Sequence, residues 1–175
     1  MTFFTSDLHF GHGNIIKHCT RPFRDADEMD GVLIRNWQAR VADGDIVYIM
    51  GDMFFRPAYD HIGILKQLKG TKHLIIGNHD ANWMKKVDLP KHFASVQQAL
   101  KITHEGKKLF LCHAPVLEFN ADYLVHGHIH NNRSDENWPY FKTLENVLNA
   151  GIEINGYMPV TFEELVANNK LFRIL

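Results

Sequence analysis

Short apolar runs alternate with amphipathic stretches along this chain, and polar residues interrupt each run at its end. Residues 2–7 read as a first strand entering a polar loop. Residues 25–41 have helical periodicity, with Asp25, Asp27 and Glu28 near the start, where negative charge complements the helix dipole. Residues 45–50 form a buried-type strand that stops at Gly51-Asp52. A helix over 59–68 follows, then a strand over 73–76 that stops at Gly77-Asn78-His79-Asp80. The second half is richer in strands. Segments 96–104 and 107–112 flank a hairpin turn at Glu105-Gly106, 123–126 precedes Gly127-His128-Ile129-His130, and 147–154 is a further strand. Thr161, with Glu164 three residues on, makes a capping box for a helix over 162–167, and 171–175 reads as an edge strand. The irregular stretch 131–144, with Trp138, Pro139 and Tyr140, is expected to lie over one face. The order βαβαβ followed by a strand-rich half predicts an α/β fold of two sheets with helices outside.

Composition narrows the class without choosing a function. A length of 175 residues suits a single domain over 1–175. The 45% apolar and 22% charged residues are those of an ordinary globular chain. With a net charge of −1, no basic field points to an extended nucleic-acid track, although a nucleotide is still an admissible substrate. No stretch approaches the roughly 18–20 apolar residues of a membrane span. The chain reaches Asp7 and His9 with no signal peptide before them, so no membrane association and a cytoplasmic location are expected. Cys19 and Cys112 are isolated and read as reduced, buried small side chains. Histidine is the anomaly, at 12 residues. It serves transition metals and proton transfer near neutral pH, and position must decide between those uses.

The positions are informative. Ligand-type residues recur where the apolar strands stop: Asp7 and His9, Asp52, Asn78-His79-Asp80, His113, then His128 and His130. Strand ends along one sheet edge are where open α/β folds place ligands, so five elements can converge on one site. Carboxylate and imidazole together suit Mn, Fe, Zn, Ni or Co better than Ca or Mg, which favour oxygen shells. The i, i+2 spacing of Asp7/His9 and of His128/His130 puts each pair on one face of an extended segment. Glycines 51, 77 and 127 precede ligand-type residues and allow tight turns or close backbone approach.

This ordered set resembles the calcineurin-like metallophosphoesterase superfamily. It comprises D-x-H at Asp7–His9, G-D at Gly51–Asp52, G-N-H-D at Gly77–Asp80, a lone His113 and G-H-x-H at Gly127–His130. The opening stretch from Ser6 to His12 is further similar to a small bacterial and phage branch of that superfamily. The resemblance implies a four-layer αββα sandwich of two mixed sheets flanked by helices, with two divalent transition-metal ions, manganese first among them, at the strand ends. One ion would take Asp7, His9, Asp52 and His130; the other would take Asp52, Asn78, His113 and His128, with Asp52 bridging. A bridging hydroxide would attack phosphorus, and His79 would protonate the leaving oxygen.

The chain departs from the family pattern in one place. Relatives often continue the second motif as G-D-x-x-D, whereas Phe55 stands here at the second carboxylate's position. Asp80 is the candidate to orient His79 instead. Arg56, His12 and Asn14 are candidate substrate contacts, each with a loop-stabilising alternative. His126 reads as structural, and His18, His61, His73, His92 and His104 as surface or helix-end residues. The lysine pairs 69/72, 85/86 and 107/108 read as solvated, and Trp83, Trp138 and Tyr140 as packing residues that otherwise could stack a base. The implied function is phosphoester hydrolysis on a small substrate, with a diester expected because no inserted cap covers the mouth. Alternatives are a phosphomonoesterase, a hydrolase of nucleotide or RNA ends including cyclic phosphates, and a non-catalytic metal-binding scaffold.

Overall fold

In the computed structural model, which describes residues 1–56 and 59–174, eight strands form two four-stranded sheets. The first sheet is parallel, ordered β1 (Thr2–Thr5), β2 (Ile46–Ile49), β3 (Thr71–Ile75) and β4 (Ser95–Gln97). The second is mixed: β5 (Ala99–His104) runs antiparallel to β6 (Lys107–Cys112), which is parallel to β7 (Tyr123–His126) and β8 (Val147–Asn149). Six helices accompany them: α1 (Gly13–His18), α2 (Ala26–Arg40), α3 (His61–Gln67), α4 (Ala81–Met84), α5 (Trp138–Phe141) and α6 (Phe162–Ile174). The α/β architecture of two sheets flanked by helices is the one expected, except that the first sheet is wholly parallel where a mixed one was expected.

Period-two alternation builds the layers. Phe3, Val47, Ile49 and Leu74 face Met29, Leu33 and Trp37 of α2 and Ile64 and Leu65 of α3. Their neighbours Phe4, Met50 and Ile75 face the other way and pack with Leu109, Leu111, Val125 and Leu148 of the second sheet. Outward of that sheet, Cys112, Leu124 and Val147 gather Phe110, Phe119 and Leu144. Helix α2 begins at Asp25, whose side chain accepts from the Glu28 amide at 2.9 Å. The capping box at α6 is closed: Thr161 N–H donates to the Glu164 carboxylate at 2.8 Å, and Glu164 N–H to Thr161 Oγ1 at 3.4 Å.

Four expectations are corrected. The single strand expected over 96–104 is two, because the chain leaves the first sheet after Gln97 and enters the second at Ala99; alternation does not register which sheet a strand joins. The strand expected over 147–154 ends at Asn149, where the Asn149 side chain accepts from Gly151 N–H and turns the backbone. The edge strand expected at 171–175 is the last part of α6 up to Ile174, while Leu175 lies outside the described residues. Tertiary bonds carry that helix onward: Asn169 exchanges hydrogen bonds with the Asn149 backbone, and Arg173 donates to Val147 O at 2.6 Å. Lys72 is buried rather than solvated, its Nζ donating to the carbonyls of Leu68 and Gly70. His61, likewise buried, starts α3 and meets the Arg56 carbonyl.

Candidate metal centre

The carboxyl ends of β1, β2 and β3 meet those of β6, β7 and β8 at one edge of the sandwich. The loop after β1 runs beside the loop after β2. Asp7 N–H donates to Gly51 O, His9 N–H to Asp52 O and Phe10 N–H to Met53 O, at 2.9–3.0 Å. Across the sheets, His113 Nδ1 meets Met50 O at 2.7 Å and His128 N–H donates to the Asp7 carboxylate at 3.0 Å.

The backbone here is unusual. Asp7, His9, Asp52, His128 and His130 all have positive φ, from 50° to 71°. Left-handed backbone costs a non-glycine residue on the order of 1–2 kcal/mol, so five such residues together require the surrounding bonds to hold them. Asp7 and His9 do approach each other, but through left-handed turns rather than an extended segment, and the backbone at His128 and His130 is left-handed too, with their side chains directed to Asn78 and to Asp7. The motif glycines are required sterically. A Cβ on Gly127 would lie 1.9 Å from Ser6 Oγ, and one on Gly77 would lie 2.3 Å from Asp52 Oδ1.

All seven candidate ligands come together, in two groups that meet at Asp52. In the first, His9 Nε2 is 4.0 Å from Asp7 Oδ1 and 3.6 Å from Asp52 Oδ2, while His130 Nε2 is 3.9 Å from Asp7 Oδ1. In the second, His113 Nε2 is 3.5 Å from Asp52 Oδ2 and 2.8 Å from Asn78 Oδ1, which also meets His128 Nδ1 at 3.0 Å. Asp7, His9 and Asp52 are buried, His113 is buried beside them, and His128 is exposed at the mouth.

Burial and charge set the protonation. Burial pushes the Asp7 carboxyl up to about 6 and draws His9 well below its ordinary value. Burial opposes ionisation of Asp52 too, but the hydrogen bond and charge of His113 override it and bring the carboxyl down to about 2. His113 rises to about 9 against the same burial because Asp52 and Asp7 favour its cation.

This donor set fits divalent metal. Asp7, His9 and His130 each bring a ligand atom within 4.8 Å of the others, as do Asp7, Asp52 and His113. His9 Nε2 is buried with no hydrogen-bond partner among the described residues, and such an orphan is costly unless something occupies its lone pair. His113 and His130 are oriented through Nδ1, by Met50 O and by Glu153 Oε1, which leaves Nε2 directed inward.

Glu153 and Arg21 join the candidate site although no motif pointed to them. The Glu153 carboxylate meets His130 Nδ1 at 2.9 Å and forms a fully buried ion pair with Arg21 at 2.7 Å. Arg21 also donates to the carbonyls of Asp7 and Leu8. Glu153 arrives through the turn after β8, so its only sequence signal was a carboxylate inside a stretch read as strand. Cys19 sits nearby, its Sγ within 4.8 Å of ligand atoms of His130 and Glu153.

No family model matches the chain. The uncharacterized protein MJ1445 of Methanocaldococcus jannaschii is 33% identical to it, over 97% of this chain and 93% of its own length. That likeness spans nearly the whole of both chains. The two chains belong to one family. A protein of unknown function from Aquifex aeolicus has a similar solved structure, with a TM-score of 0.75 and 28% identity over 94% of this chain and 96% of its own. The gene 66 protein of Mycobacterium phage D29 is 29% identical over 73% of this chain and 77% of its length.

The remaining candidate residues separate. His79 lies at the mouth, with its side chain 41% exposed, Nε2 3.9 Å from Asp52 Oδ2 and its N–H donating to Asp52 Oδ1. Asp80 does not orient it. Both Asp80 oxygens are taken by the N–H groups of Asp52, Met53 and Gly77 and by the Trp83 indole, at 2.7–2.9 Å, which ties the second motif to the third. His12 borders the cluster, with Nδ1 3.3 Å from His9 Nδ1. Asn14 is exposed in the first turn of α1, and Arg56 is exposed beyond Phe55. His126 is buried against Gly127 O, as expected of a structural residue. Among the described residues no helix is long and apolar enough to cross a membrane.

Proposed function

We propose that this protein is a metal-dependent phosphoester hydrolase acting on diesters. The observation that carries this reading is the convergence of Asp7, His9, Asp52, Asn78, His113, His128 and His130 around one buried carboxylate, Asp52. Asp7, His9, Asp52 and His130 would hold one divalent ion, and Asp52, Asn78, His113 and His128 the other, with manganese the first choice. When bound, the pair supplies Lewis acidity toward the phosphoryl oxygens and a water acidified to near neutral pH. The chain's own groups do the rest. Glu153 and Met50 O fix the ring orientations of His130 and His113. His79 Nε2, at the exposed mouth, gives a proton to the leaving oxygen. Two carboxylates against two divalent ions and one hydroxide leave a net charge of about +1, which favours an anionic ester.

The test is turnover of bis-p-nitrophenyl phosphate against p-nitrophenyl phosphate with Mn²⁺ added and then chelated. A metal-dependent rate that is higher on the diester is expected. No turnover of either ester with any of Mn²⁺, Fe²⁺, Zn²⁺, Ni²⁺ or Co²⁺ would sink the reading.

A further inference from the structure

Phe55 stands where relatives often keep a carboxylate, and its setting is not that of a filler. The four phenylalanines nearest the same strands, Phe3, Phe4, Phe10 and Phe54, are all wholly buried, whereas Phe55 is 38% exposed. Phe55 N–H donates to Phe10 O at 3.1 Å, which anchors its backbone at the end of the paired loops. Its ring lies flat on the His12 imidazole, with centroids 3.5 Å apart and planes 4° from parallel. The same ring is 5.3 Å from that of His79 and 6.5 Å from that of His9. A partly exposed aromatic ring therefore stands beside His79 and the candidate ligand His9, at the edge of the ligand-type cluster. Among the described residues, none of the other aromatic candidates makes a ring contact with the ligand-type histidines. Trp83 is buried and donates to Asp80, Trp138 packs on Phe172, and the Tyr140 ring neighbours Phe141.

We infer that the Phe55–His12 stack receives a planar arm of the substrate, so that the preferred phosphoester carries a nucleobase. The inference rests on the phosphoester reading above and adds the substrate class. Every nucleobase has a π-face, so a stacking wall of this kind selects bases over sugars without choosing among bases.

The test is a calorimetric titration of the Mn²⁺-loaded protein with the non-hydrolysable phosphonate isosteres of AMP and of ribose 5-phosphate. Because neither ligand turns over, the readout is independent of activity. The base should tighten binding about 5- to 150-fold, the range that one stacked base supplies. Phe55→Ala should bring the ratio of the two Kd values close to one. Phe55→Leu, which keeps apolar bulk, should stay low, and Phe55→Tyr should restore the preference. Equal Kd values in the wild type, no measurable binding of either ligand, or a preference that survives in Phe55→Ala and Phe55→Leu would overturn the inference. Failure of the hydrolase reading looks different: the base preference and its loss in Phe55→Ala persist while no phosphoester is turned over.

Discussion

Glu153 holds His130 by a 2.9 Å contact to Nδ1 and is itself held by Arg21 in a buried ion pair, so a residue outside every motif aims one of the candidate ligands. Carboxylate partners of this kind fix imidazole orientation, and their loss commonly lowers metal affinity about 10- to 100-fold. Glu153→Gln is expected to weaken Mn²⁺ binding by that order, read by calorimetry, with one of two binding events affected more than the other. Uniform weakening of both events would show that Glu153 serves the fold rather than His130.

Arg21 links the same carboxylate to the carbonyls of Asp7 and Leu8. Removing one partner of a buried pair costs about 3–5 kcal/mol, because the other charge is left without compensation. Arg21→Met should therefore lower the urea midpoint sharply, and Arg21→Met/Glu153→Met should recover part of the loss. A double variant less stable than the single one by a further full increment would argue against the pairing.

Asp52 and His79 should separate binding from chemistry. Asp52→Asn is expected to impair loading of both metals, measured as metal content after gel filtration. His79→Ala should retain them and lose most turnover on esters with poor, alkyl leaving groups, while sparing p-nitrophenyl esters. Loss of metal in His79→Ala would reassign that residue as a ligand.

Asp80 acts on the loops. Asp80→Ala strands three backbone N–H groups and an indole N–H, each worth about 1–3 kcal/mol when buried and unmet. Thermal denaturation should show a large loss of stability, with metal affinity falling alongside. A stable Asp80→Ala protein impaired only in turnover would restore the catalytic role expected from the sequence.

Gly127 offers a steric test. Gly127→Ala drives a methyl into Ser6 and Asp7, whereas Gly44→Ala meets nothing within 4 Å. The first should abolish metal binding and destabilise by at least about 1–3 kcal/mol; the second should stay within roughly 0.5 kcal/mol of wild type. Equal behaviour of the two variants in a denaturant titration would remove the close-approach argument.

The strand ends, the acidic start of α2 and the seven ligand-type residues were legible in the linear chain because they are local: an apolar run stops, and a glycine and a chelating side chain follow. Tyr123–His126, the Glu105-Gly106 hairpin and the Thr161 capping box are of that kind. What depended on distance in sequence was not legible. Whether residues 95–97 and 99–104 form one strand or two is decided by which sheet lies alongside, and α6 continues to Ile174 because Asn169 and Arg173 bond to β8. The same holds at the site. The sequence by itself determined which atoms are offered to a metal and that the strand termini offer them. Tertiary structure decided how they are held: the left-handed turns at Asp7, His9, Asp52, His128 and His130, the use of Asp80 as a loop tie, and the entry of Glu153 from 132 residues beyond Arg21. A side chain's chemistry is intrinsic, but its direction, strain and partner are set by whatever the folded chain brings against it.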